Sequence, residues 1–180
     1  MTAKTLARTD AAAAALLLLW AGMVLGFALL TAPALFSGLP SLDLAGKVAG
    51  KVVARLDLAA WIGFGAAILL VQGGRWLLEI RDAEAVGPLR LWGAAALLAL
   101  LMCFTSSFIV SPRLGALRAR MGDTVESFAP DQPDRAAFRK AHSISRQLMV
   151  LRLLLALGLA AGVAVLPRSR RTGPGEAASG

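Results

Sequence analysis

Four long apolar runs with few charges constrain this chain more than any other feature of its sequence. They cover residues 11–36, 56–78, 89–110 and 145–166. An α-helix of about 20 apolar residues crosses the hydrocarbon core of a bilayer, and it satisfies its own backbone hydrogen bonds there. The runs therefore predict four membrane-spanning helices, and the predicted fold class is all-α: an integral membrane four-helix bundle.

The first run follows a short basic stretch with Lys4 and Arg8, an arrangement that also occurs at the start of cleaved signal peptides. A signal peptide has an apolar stretch of about 7 to 15 residues, whereas this run covers residues 11–36. We therefore expect it to be a retained span. The predicted organisation is a basic N-terminal tail, a transmembrane domain and a disordered C-terminal tail, at residues 1–10, 11–167 and 168–180.

The segment between the first two runs, from Ser41 to Arg55, mixes apolar residues with cations. Lys47, Lys51 and Arg55 recur every four residues, so they share one face of a helix. This pattern predicts an interfacial amphipathic helix before the second span.

Composition and charge favour a membrane environment. The chain is 57% hydrophobic and 17% charged, with a net charge of +8, which is more apolar and less charged than a typical soluble domain. The cations lie beside the apolar runs, and no nucleic-acid-binding motif accompanies them. The expected partner is therefore a bilayer with anionic headgroups, not nucleic acid. Cys103 is the only cysteine, which excludes an intramolecular disulfide.

Arg152 is the most informative polar residue, because it lies well inside the fourth run. A cation at the centre of a spanning helix costs about 2.5–3.5 kcal/mol on insertion scales, so it needs a partner, water or a route to the headgroups. Spans two and four begin on the same side of the membrane, which makes Asp57 the expected counter-ion. Three interpretations stay open: Arg152 extends alone to the headgroups, the pair only orients helices, or the pair belongs to a functional polar pathway.

Other polar residues carry weaker signals. Arg75 and Glu79 have a spacing that permits a local ion pair on one helix. His142 is the only histidine, which excludes a bis-histidine haem or a classical zinc site within one chain. The hydroxyls of the third run are interpreted as helix-packing groups: Thr105, Ser106 and Ser107.

Four short motifs, one beside each span, resemble a known membrane family. They are Ala32-Pro33-x-Leu35-Phe36, Ala45-Gly46 with Gly50, Pro112-Arg113, and Phe138-x-x-x-His142-x-x-Ser145. In this order they are similar to the transmembrane protein 205-like family over roughly residues 16–165. The resemblance implies a four-span helical membrane domain without established catalytic residues. Members often have an acidic residue and an amide where this chain has Ser111 and Met149.

The expected function is that of a structural or assembly component, in a bacterial inner membrane. No phosphate-binding loop, nucleophile elbow or carboxylate pair is recognisable, so no catalytic residue, metal ligand or cofactor is predicted. Small residues in spans two and four favour a homo-oligomer or a larger membrane assembly. Two alternatives stay open: a transporter or permease-like subunit for a small solute or metal, using Arg152, Asp57 and His142, and a redox or haem-associated protein with ligands from a partner chain.

Overall fold

The computed structural model describes residues 3–77, 83–122, 125–129 and 131–166. This part of the chain contains four helices that are long and apolar enough to cross a membrane, and no strand, which confirms the predicted all-α bundle. They are α1 (Lys4–Gly38), α2 (Leu42–Trp76), α3 (Gly87–Arg120) and α4 (Pro133–Gly162). Short 3-10 turns at Val125–Ser127 and Val163–Val165 follow α3 and α4.

Each of the four helices begins or ends beyond the apolar run that predicts it. The 35 residues of α1 or of α2 reach about 52 Å at about 1.5 Å per residue, whereas the hydrocarbon core is about 30 Å thick. The helix ends therefore extend into the headgroup region. Helical structure begins at Ala3, so most of the predicted N-terminal tail is helical. Glu79 and the predicted C-terminal tail, residues 168–180, lie outside the described residues.

The predicted amphipathic helix is present as the first part of α2. Ser41 is its N-cap: the Ser41 backbone is extended, and its hydroxyl accepts a hydrogen bond from the Leu44 amide at 3.1 Å, which satisfies one of the free donors of the first turn. The helix then continues without a break to Ile68. It is not a separate element, because no cap or proline lies between Lys51 and Leu58.

Three helices in the described residues contain a π-helical segment. These segments are Phe27–Thr31 in α1, Leu69–Gly73 in α2 and Thr105–Val110 in α3. The first and third precede Pro33 and Pro112, whose missing N–H leaves a carbonyl of the preceding turn without its α-helical donor. A π-bulge adds a residue to a turn, so it rotates the following side chains by about 100° relative to an uninterrupted α-helix.

The helices pack in a ring in which α1 and α3 each contact both α2 and α4. Trp20 and Phe64 meet in the core with ring centroids 5.4 Å apart. The outer surface is apolar as well: Leu29, Leu69 and Leu91 are 70%, 75% and 74% exposed. Large exposed apolar side chains over the whole bundle surface suit a lipid surrounding, and the fold is that of a multi-pass membrane protein by length and composition.

The two ends of the bundle differ in exposed charge. We call the end where α2 and α4 begin and α3 terminates the basic end. Its exposed cations among the described residues are Lys47, Lys51, Arg55, Arg113, Arg120, Arg139, Lys140 and Arg146. At the opposite end, where α1 begins and α2 terminates, the exposed cations among the described residues are Lys4, Arg8 and Arg90, and Arg75 is buried.

Candidate functional site

A buried polar cluster joins all four helices toward the basic end. We call it the central cluster. Its side chains are between 0% and 3% exposed. They are Trp20 of α1, Asp57 of α2, Cys103 and Ser106 of α3, and Arg152 of α4.

The ion pair between Asp57 and Arg152 is the centre of this cluster. Arg152 Nη2 donates to Asp57 Oδ1 at 2.7 Å. The Ser106 hydroxyl donates to Asp57 Oδ2 at 2.8 Å, so both carboxylate oxygens accept a hydrogen bond. The contact predicted between Asp57 and Arg152 is therefore present. Arg152 does not extend alone toward the headgroups, because it is 0% exposed.

The remaining donors of Arg152 also have partners within the bundle. Its Nε donates to the Leu148 carbonyl at 3.3 Å, and its Nη1 lies 3.5 Å from Cys103 Sγ. Its guanidinium carbon lies 5.8 Å from the centroid of the Trp20 ring, within the range of a cation–π interaction. Trp20 Nε1 in turn donates to the Leu56 carbonyl at 2.9 Å. Each nitrogen of the guanidinium thus has a partner within the bundle.

The hydroxyl groups of α3 behave as the packing groups predicted for them. Ser106 contacts Asp57 of α2, and Ser107 accepts a hydrogen bond from Trp61 Nε1 at 3.3 Å, also from α2. Thr105 donates to the Leu101 carbonyl of its own helix at 2.9 Å. All three lie in the π-helical segment Thr105–Val110, whose wider turn sets which hydroxyls face α2.

A second buried ion pair lies at the opposite end of the bundle. Arg75 of α2 donates through Nη1 and Nη2 to the two carboxylate oxygens of Asp10 of α1, at 2.7 and 2.9 Å. Both side chains are 1% exposed. Sequence reasoning missed this pair, because Asp10 falls in the predicted tail and Arg75 has a nearer acidic residue in Glu79. The sequence offered one signal for this pair: consecutive spans run in opposite directions, so the start of α1 and the end of α2 lie at the same end of the bundle.

The π-helical segment of α2 explains why its two buried charges face different neighbours. Roughly five α-helical turns separate Asp57 from Arg75, which would place both on one face of an uninterrupted helix. Leu69–Gly73 lies between them and rotates the end of α2 by about 100°. Asp57 consequently faces α3 and α4, while Arg75 faces α1.

The residues that carry the family resemblance all lie at the basic end. Three of them surround Arg118 of α3. A Cβ placed on Gly46 would lie 2.9 Å from Arg118 Nη2, so the glycine allows this close approach. The guanidinium carbon of Arg118 lies 5.5 Å from the centroid of the Phe138 ring, and this ring stacks on His142 with centroids 6.2 Å apart.

The other resemblance positions do not join this contact. Ser145 is half-buried on α4. Ala45 is buried on α2, whereas Pro33, Phe36, Pro112 and Arg113 are exposed on α1 and α3. His142 is exposed and far along α4 from Arg152, so the structure does not bring together the three residues that the transporter alternative would use.

Metal-ligating side chains do not gather in the described part of the chain: no group of three or more His, Cys, Asp or Glu is placed to hold an ion. Comparison with known proteins found no matching family model, no matching curated protein and no matching solved structure.

Replacing Trp20 with phenylalanine is expected to destabilise the bundle by about 1–2 kcal/mol. The variant keeps the ring against Phe64 but loses the hydrogen bond to the Leu56 carbonyl and weakens the cation–π contact with Arg152. Thermal unfolding in detergent measures the effect. Trp76→Phe is the matched control, because Trp76 is 75% exposed and we expect no measurable change. Equal shifts in both variants would contradict a stabilising role for Trp20.

Proposed function

We propose that this chain is a structural or assembly component of a membrane, a preassembled helical body that acts through its outer surface. The observation that carries the proposal is the pairing of its buried charges. Among the described residues, each buried charged side chain is joined to an opposite charge on another helix: Asp10 to Arg75, and Asp57 to Arg152.

Such pairing supports a static interior. Removing one member of a buried ion pair costs about 3–5 kcal/mol, because the other charge is left uncompensated. Helix movements that separate either pair would carry a comparable penalty. The two pairs therefore favour one arrangement of the helices over others. A bundle with one fixed arrangement suits a component whose surface other proteins or lipids bind.

The core between the two pairs also supports this role over that of a permeation pathway. Polar residues that face a bundle interior or a water-filled cavity mark pathways for solutes and ions. The buried side chains between the two pairs are apolar in the described structure, and they include Ala13, Leu17, Ala60, Phe64, Ala67 and Val71. A solute would meet this apolar layer after leaving the central cluster.

The same proposal includes the family and the location. The contacts among Gly46, Arg118, Phe138 and His142 support a relation to the transmembrane protein 205-like family, because motifs from separate spans meet at one end. The exposed cations of the basic end suit an anionic leaflet such as that of a bacterial inner membrane.

Photo-crosslinking in the native membrane tests the proposed function. A photoreactive amino acid replaces Leu29 or Leu69, which are 70% and 75% exposed on α1 and α2. We expect discrete protein adducts from at least one position. The same variants in vesicles that contain only this protein and lipid serve as the control, and they should give no adduct with a different protein.

Two results would contradict the proposed function. One is the absence of protein adducts from a set of exposed positions that covers all four helices. The other is flux of a solute across vesicles containing the purified protein, above that of empty vesicles. The second result would favour the transporter alternative, since an assembly component has no need of a pathway through its interior.

A further inference from the structure

A groove of about 430 Å³ runs along the lipid-facing seam between α3 and α4, from Leu151 to Pro88 and Leu166 at the end opposite the basic end. Trp92 of α3 forms one wall, and Leu154 and Gly158 of α4 form another. Trp92 is fixed there, because its Nε1 donates to the Leu159 carbonyl at 3.0 Å. A Cβ placed on Gly158 would meet no atom within 4 Å, so the missing side chain leaves the groove open.

A depression of about 510 Å³ on the surface of α4 continues this groove toward the basic end. Ser143, Arg146, Gln147 and Val150 line it, and it shares Leu151 with the groove. These positions follow one another at helical spacing along the outward face of α4. We call the continuous surface from Ser143 to Gly158 the α4 track.

The polar end of the α4 track offers free hydrogen-bond donors. Arg146 and Gln147 are exposed, and neither has a hydrogen-bond partner among the described residues. A guanidinium binds phosphate oxygens through parallel, charge-assisted hydrogen bonds. His142, one turn before Arg146, lies beside it on the same helix. The site is therefore suited to an anion at the membrane surface.

The length of the track and the volume of its groove indicate what the ligand carries besides its anionic group. Arg146 and Gly158 are about 18 Å apart along the helix axis, close to the depth of one leaflet, which is about half of the 30 Å hydrocarbon core. The volume of the groove, about 430 Å³, leaves room for a single extended acyl chain over this length.

We propose that the α4 track binds one phospholipid with an anionic headgroup, taken from the leaflet at the basic end. Its phosphate contacts Arg146 and Gln147, and one acyl chain enters the groove at Leu151 and ends beside Gly158. The charge at one end of the track and the apolar lining at the other match the two parts of such a lipid. This site goes beyond the proposed function and does not depend on it.

Lipid retention after reconstitution tests the site. The full chain is placed in vesicles with equal amounts of phosphatidylglycerol and phosphatidylcholine and extracted in mild detergent, and the bound lipids are counted by native mass spectrometry. We expect phosphatidylglycerol to be retained in preference to phosphatidylcholine. Arg146→Gln should reduce this retention about tenfold, the effect of losing one strong charge-assisted contact, whereas Arg146→Lys should keep most of it.

Matched variants test the acyl-chain groove and the headgroup contact of the site separately. Gly158→Leu fills the groove and should also reduce retention, while Gly22→Leu adds the same side chain at an exposed glycine of α1 that has open space around it and should not. Lys51→Gln removes an exposed cation of the same end on α2 and should leave retention unchanged. Thermal unfolding of every variant checks that it is folded.

Three results would overturn the proposal. The first is equal retention of the two phospholipids by the unaltered chain. The second is an equal loss of phosphatidylglycerol in Arg146→Gln and Lys51→Gln, which would mean a diffuse attraction to charge. The third is a dimer that Gly158→Leu dissociates without a change in bound lipid, which would assign the groove to a second copy. Competition with inorganic phosphate distinguishes a free anion from a lipid, since only a free-anion site would be emptied by it.

Discussion

Replacing Asp57 with leucine is expected to destabilise the bundle by about 3–5 kcal/mol, and by more than replacing Arg152 with leucine. Asp57→Leu leaves the Arg152 guanidinium buried at 0% exposure, and a guanidinium stays protonated in proteins. Arg152→Leu leaves Asp57 with the hydrogen bond from the Ser106 hydroxyl to its Oδ2, so the carboxylate keeps one buried donor. Denaturant titration in detergent, followed by tryptophan fluorescence, measures the free energy of unfolding of both variants.

The double variant Asp57→Leu/Arg152→Leu distinguishes a lost ion pair from lost packing. Replacing both members of a buried pair with apolar side chains is often close to neutral, so we expect the double variant to be more stable than Asp57→Leu alone. Lys140→Leu removes an exposed cation of the same helix and should change stability by less than about 0.5 kcal/mol. Costs below about 1 kcal/mol for both single variants would mean that water reaches the pair.

Reversing one charge of the second pair is expected to have an even larger effect. Asp10→Arg or Arg75→Asp places two like charges in contact at a site that is 1% exposed, and we expect a loss of about 5 kcal/mol or more, or failure to fold. The exchanged variant Asp10→Arg/Arg75→Asp restores opposite charges and should recover most of the stability. The yield of monodisperse protein and the unfolding midpoint measure this recovery.

The neighbouring cation Arg8 provides the control for this exchange. Arg8 is exposed on α1, so Arg8→Asp should have little effect on stability. An exchanged variant no more stable than the two single reversals would contradict a direct interaction between positions 10 and 75. Effects at the two buried pairs should add, because the pairs lie near opposite ends of the bundle and share no side chain.

The four spans could be predicted because each is marked by a long apolar run, but their limits could not. Leu42 to Arg55 and Ser111 to Arg120 are helical continuations with polar side chains on exposed faces. A hydropathy argument ends a span where charges appear. The helix itself ends only where backbone capping or a breaking residue stops it.

The two ion pairs differed in how far the sequence could predict them. Arg152 lies inside an apolar run, and topology leaves few acidic partners, so Asp57 could be inferred. Asp10 precedes its run, and its partner Arg75 reaches α1 only because the π-helical segment Leu69–Gly73 turns the end of α2. No proline follows that segment, in contrast to the other two, and the glycine pair Gly73-Gly74 is its only mark in the sequence; a glycine pair does not by itself specify a rotation of the helix.

The distribution of buried charge has a consequence for biogenesis. The charges of α1 and α2 near the opposite end compensate each other as soon as both helices are synthesised, whereas Asp57 of α2 has its opposite charge on α4. Arg152 of α4 depends on Asp57, which is synthesised much earlier, and alone it opposes insertion by about 2.5–3.5 kcal/mol. We therefore expect α4 to insert against the surface that α1 and α2 already present, so that the helices assemble in the order in which they are synthesised.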